Sequence, residues 1–111
     1  MELKVFLVEL LSSLALLDFV ASIDLRTEVF TVKGRVYLKQ RGFLKIYFNE
    51  RTQTIAVAWI EGERRTWGID RDNLRGWHRH PLENPEDHQP MSALSIPDII
   101  KELGDVWRRA T

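Results

Sequence analysis

Apolar residues recur at three- and four-residue spacing at the start of the chain. Leu3, Leu7, Leu10, Leu14 and Leu17 fall on one face of a helix, widened by Phe6 and Leu11, while Lys4, Glu9, Ser12 and Ser13 lie off the stripe. The pattern predicts a helix from about Leu3 to Val20, buried against the rest of the domain rather than standing alone. From Glu28 the period changes to two. Phe30, Val32, Val36 and Leu38 alternate with Thr31, Lys33, Arg35 and Lys39. Leu44, Ile46 and Phe48 alternate with Lys45, Tyr47 and Asn49, and Arg65, Trp67 and Ile69 with Arg64, Thr66 and Gly68. Between these runs, Ile55 to Ile60 is apolar on both faces, which predicts a central strand. Gly34 interrupts the first run and reads as a bulge.

The links between the runs are short and carry turn chemistry: Gln40-Arg41-Gly42, Asn49-Glu50-Arg51-Thr52 and Glu61-Gly62-Glu63. Links this short join antiparallel neighbours. Asn73 to Leu94 holds Gly76, Pro81, Pro85 and Pro90 and reads as a long loop, with room for a short strand through Trp77-His78-Arg79-His80. A second amphipathic helix then begins at Ser95-Ile96-Pro97-Asp98, an N-cap pattern. Ile96, Ile99, Ile100, Leu103, Val106 and Trp107 line its inner face, and Arg108 and Arg109 suit its negative C-terminal end. The expected fold is a single α+β domain over 1–111. It has an antiparallel meander of four to five strands, with an N-terminal and a C-terminal helix packed on one face.

Charge and composition narrow the function. Sixteen basic and sixteen acidic residues give no net charge, which argues against binding nucleic acid by bulk electrostatics but leaves room for a local basic patch. Lys33, Arg35, Lys39, Arg41 and Lys45 form such a run over the first hairpin, with Tyr37 and Tyr47 interleaved as stacking platforms. The ordinary meaning of such a run is a solvated sheet face. There is no cysteine, so thiol catalysis and cysteine metal sites are excluded, and a cytoplasmic setting is expected. Glu2, Glu9 and Asp18 interrupt the leucine-rich start, so neither a signal peptide nor a membrane span is expected there.

The candidate chemistry lies between Asp70 and His88. All three histidines fall there, among carboxylates, arginines and Trp77. Histidine titrates near neutral pH and can move a proton or bind a metal. His78 and His80, at strand spacing, point to the same side of an extended chain. They are the candidate acid and base for phosphodiester hydrolysis, with Asp72 orienting an imidazole. Arg75, Arg79 or Arg71 would neutralise transition-state charge, and Trp77 would stack on an unpaired base. No organic cofactor is expected. A divalent metal on His78 and His80 is the alternative, with His88, Asp72 or Asp87 as third ligand. The plain reading keeps Asp72-Asn73 as a turn, Trp77 as an edge plug and the histidines as solvated side chains.

Trp67, Asp72-Asn73, the Trp77-His78-Arg79-His80 stretch and the helix from Ile96 together resemble the TumE family of small toxins from toxin–antitoxin pairs. The resemblance runs over most of the chain. It departs where Trp67 stands five residues before Asp72, and where Leu74-Arg75-Gly76 replaces further histidines. It implies a growth-inhibiting toxin neutralised by a helix-turn-helix antitoxin, with RNA as target, Asn73 beside the site and a homodimer as an open alternative. A non-catalytic interaction module and a small metal-binding protein are the competing readings.

Overall fold

The computed structural model describes residues 1–111. Helix α1 spans Leu3–Leu14. Strands β1 (Val20–Thr27), β2 (Thr31–Leu38), β3 (Phe43–Asn49), β4 (Thr54–Glu61), β5 (Arg64–Asp72), β6 (Gly76–His80) and β7 (Gln89–Pro90) follow, and α2 (Ile96–Ala110) closes the chain. The strands form one seven-stranded sheet in the order of the sequence, every pair antiparallel. The α+β class, the meander and the two helices match the expectation; the strand number does not.

The extra strands have separate causes. The helix stops at Leu14, where Ser12 and Ser13 turn their hydroxyls back onto the carbonyls of Val8 and Glu9. Phe19 then drops into the core and stacks on Trp107 at 4.2 Å. The chain from Val20, helical if the leucine stripe ran on, pairs with β2 instead, Ile23 opposite Val36 and Leu25 opposite Gly34. Gly34 is not a bulge. It stays in register, and a Cβ there would lie 2.1 Å from the Asp24 carbonyl oxygen, so only glycine lets β1 come this close. Part of the expected loop also pairs: β6 continues the meander and β7 adds a two-residue edge.

Side chains alternate across the sheet. One face carries Val32, Val36, Leu44, Ile46, Phe48, Ile55, Val57, Trp59, Trp67 and Ile69, all buried in one cluster with both helices. Phe6 of α1 stacks on Phe48 at 4.4 Å, and α1 also packs against α2. β4 is fourth of seven, central as its two-sided apolar pattern predicts. Helix α2 begins as its sequence suggests, with Ser95 Oγ accepting from the Asp98 N–H at 3.2 Å. No helix is long and apolar enough to cross a membrane.

Both helices pack on the same face, so the other face is left without a helix. Register defines it residue by residue. One row reads Arg26, Lys33, Tyr47, Ala56, Asp70, His78. The next reads Asp24, Arg35, Lys45, Ala58, Gly68, His80.

Candidate histidine site on the uncovered sheet face

The stretch Trp77-His78-Arg79-His80 is a strand, so its four side chains divide between two layers. Trp77 and Arg79 turn toward the helices. Trp77 packs on the edge of the core, as its plain reading has it. Arg79 sits opposite Ile69 and grips Glu102 of α2 with two bonds, Nε at 2.8 Å and Nη2 at 2.6 Å. Glu102 also accepts from the Trp67 indole at 3.1 Å. That pair raises the Arg79 pKa further and ties α2 to the sheet.

His78 and His80 turn to the uncovered face. They are not solvated loop residues: His78 is 4% and His80 2% exposed. The chain from Pro81 to His88 covers them, turning on bonds from Asn84 N–H to the Pro81 carbonyl and from Asp87 N–H to the Asn84 carbonyl. It brings His88 beside them. Ring centroids are 4.5 Å apart for His80 and His88, 5.3 Å for His78 and His80, and 5.6 Å for His78 and His88.

Asp70 is the fourth member. It lies opposite His78 in the β5–β6 ladder, and its Oδ2 is 3.3 Å from His78 Nε2 and 3.2 Å from His80 Nε2. The other nitrogen of each ring meets a backbone carbonyl: Pro85 at 3.0 Å for His80 Nδ1, and Gly76 at 3.4 Å for His78 Nδ1. Asp70 Oδ1 is buried and has no hydrogen-bond partner. Arg65 Nη1 is 3.0 Å from Nε2 and 3.1 Å from Nδ1 of His80. Near-equal distances to both nitrogens of one ring place it off the ring plane, where no lone pair points. Burial, then the Arg65 charge, pushes His80 below the ordinary histidine value of 6.5, while Asp70 and the Pro85 carbonyl pull the other way.

Asp70 takes the position beside the imidazoles that the sequence suggests for Asp72. Asp72 Oδ1 instead accepts from the backbone N–H groups of Leu74 and Arg75, at 2.9 and 2.6 Å, closing the β5–β6 turn. The Arg75 N–H, above all, holds the Asp72 carboxyl below its usual range. Asn73 accepts from Arg71 at 2.8 Å in the same turn. Arg75 is exposed in that turn. Of the residues singled out from sequence, the fold therefore gathers His78, His80 and His88.

A polar cleft of about 440 Å³ opens over the cluster, lined by Arg64, Arg65, Glu63, His80, Pro85, Glu86 and His88. His78 does not line it. At the other side of the same face, Lys33, Arg35, Lys45 and Tyr47 border a shallow depression of about 270 Å³, with Tyr37 and Phe43 in the adjoining row. Arg35 lies over the Phe43 ring at 4.3 Å. Of the basic run, Lys33, Arg35 and Lys45 share this face. Arg41 does not: it binds Glu61 and the Ala110 carbonyl. Ala56, Ala58 and Gly68 lie between the basic side and the histidines; Ala58, 5% exposed, and Gly68 are buried, so flanking groups close over this part of the face.

No family model, curated protein or solved structure matches this chain. The functional reading rests on its own geometry.

Proposed function

We propose that the uncovered face binds single-stranded RNA and that the histidine cluster is its reacting end, as a toxin directed at RNA would require. One observation carries the reading: a basic, aromatic patch and a cluster of three imidazoles share one helix-free face, with Ala56, Ala58 and Gly68 between them in the register. Lys33, Arg35 and Lys45 supply charge for phosphates, and Tyr37, Phe43 and Tyr47 supply rings for bases, where each stacked base contributes about 1–3 kcal/mol. The two sides are three strand spacings apart, about 14 Å. A bound strand that spans this distance reaches the cleft lined by His80 and His88. Arg64 and Arg65 stand at the same cleft to offset phosphate charge. His78 and Asp70 act from beneath.

The test is inducible expression with growth and total RNA followed, and incubation of purified protein with a single-stranded RNA. The reading expects arrested growth and RNA shortening that His88→Ala abolishes. Intact RNA with folded protein contradicts it.

A second reading, a non-catalytic interaction module, is favoured by α1. Its outer side leaves Val5, Val8 and Leu11 about half exposed, an apolar stripe suited to a helix of an antitoxin partner. A module of that kind leaves RNA unbound, so the same incubation separates the two.

A further inference from the structure

We infer that His78, His80, His88 and Asp70 form a binding site for one divalent cation of the zinc class. The inference deepens the reading above, taking the same cluster as the working site, and names what it holds. It does not need RNA to be the substrate.

Donors and acceptors at the cluster do not balance. A backbone carbonyl only accepts, so the ring nitrogens facing Pro85 and Gly76 are the ones carrying hydrogen. In neutral rings that leaves Nε2 of both histidines with a bare lone pair. Both lone pairs face Asp70 Oδ2, itself an acceptor, at 3.2 and 3.3 Å. Three acceptors converging at this distance need a proton or a metal cation among them. Arg65 does not meet the need, since its nitrogen sits off the His80 ring plane.

The distances suit a metal. Bonds of 2.0–2.1 Å at tetrahedral angles put neighbouring ligand atoms about 3.3–3.4 Å apart. The two Nε2–Oδ2 separations already match that edge. His88 supplies the third nitrogen: one ring nitrogen of each histidine lies within 4.8 Å of the others. His88 is exposed and bonded only through its backbone N–H, to Asp87, so its ring is free to close the remaining gap. The carbonyl contacts on Nδ1 are the outer partners that orient metal-binding imidazoles. Three nitrogens and one carboxylate oxygen, without sulfur, fit zinc and its neighbours better than calcium or magnesium. Such an ion would staple the Pro81–His88 cover to the sheet. It also supplies the charge that the buried, unpartnered Asp70 Oδ1 lacks nearby. Arg64 and Arg65 at the cleft oppose a cation, offset by Glu63 and Glu86 on the same lining, and Arg65 is the one that touches a ligand ring. The Arg65 side chain is exposed and bonds nothing else, so it can turn away.

The experiment is titration of metal-stripped, folded protein with Co²⁺, then Zn²⁺. One Co²⁺ per chain is expected, with the visible bands of a four-coordinate ion, displaced by Zn²⁺ with a rise in Tm. His88→Gln, an exposed position that should not disturb folding, is expected to weaken binding by more than the roughly 10–100-fold that losing an outer partner costs. Asp70→Asn should weaken it too, and Arg65→Ala should tighten it. Folded wild type that takes up no Co²⁺ or Zn²⁺, or a His88→Gln protein that binds as tightly as wild type, overturns the site. RNA cleavage decides separately. Metal bound with RNA left intact refutes the RNA reading and keeps the site. RNA cut by fully stripped protein in chelator, with no metal uptake, does the reverse.

Discussion

The two faces of this sheet are built from the same strands and share almost no chemistry. The helix-covered face holds every large buried apolar side chain of the strands, together with the Trp67–Glu102–Arg79 network. The helix-free face holds Lys33, Arg35, Lys45, the small residues of β4 and β5, and the histidines with Asp70. Within β6, neighbours in sequence belong to opposite layers: Arg79 pairs with Glu102 of α2 while His78 and His80 join the imidazole cluster. A strand's two-residue period lets one segment place alternate side chains in two different layers.

The largest expected effect lies on the covered face. Leu14, 1% exposed, should cost about 2–5 kcal/mol as Leu14→Ala in chemical denaturation, with RNA and metal affinity of the folded fraction unchanged. His80→Ala tests whether the other face is separable from folding. Its ring is buried and bonded through Nδ1 to the Pro85 carbonyl, so a destabilisation of about 1–3 kcal/mol is expected rather than the negligible cost a solvated loop histidine implies. Arg79→Ala should cost about 1–3 kcal/mol by stranding Glu102, yet leave cobalt uptake intact. If Arg79→Ala abolished metal binding, the division between faces would fail.

How much of this division can be read in the sequence depends on range. The turns at Gln40-Arg41-Gly42, Asn49 to Thr52 and Glu61-Gly62-Glu63, the Ser95 cap and the central place of Ile55 to Ile60 are local chemistry and are legible. β1 is not: Ser22-Ile23-Asp24-Leu25-Arg26 alternates, but only briefly, beside a much stronger leucine stripe, and Ile23 stays 43% exposed. The histidines are legible as a group because they crowd together. Asp70 escapes a sequence reading because its role depends on cross-strand register. The Asp72–Gly76 turn sets Asp70 opposite His78, and the only signal in the sequence is its even spacing from Gly68, away from Trp67 and Ile69. Asp72, nearer to the histidines in sequence, draws the attention while capping that turn.

Smaller effects sharpen the picture. In metal-stripped protein His80 has a folded pKa below its unfolded one, so the unfolded chain binds the extra proton. Stability is then complete above about pH 6.5 and falls as pH drops from there toward the folded pKa, a slope that Tm measured between about pH 8 and pH 5 should show and His80→Gln should flatten. Smallest is His88→Gln, expected to shift metal-free stability by no more than about 0.5 kcal/mol, since His88 is exposed.

The central claim is that the helix-free face is the one that works, and salt-dependent binding of a single-stranded RNA tests it most directly. Wild type should bind. Replacing Lys33, Arg35 and Lys45 by Ala should weaken binding and reduce the slope of log affinity against log salt by about 2, near 0.7 for each phosphate no longer neutralised. Replacing the exposed Lys4 and Lys101 of the helices should change neither quantity. An equal weakening from the helix lysines, or a wild type that binds no RNA at low salt, would contradict the account.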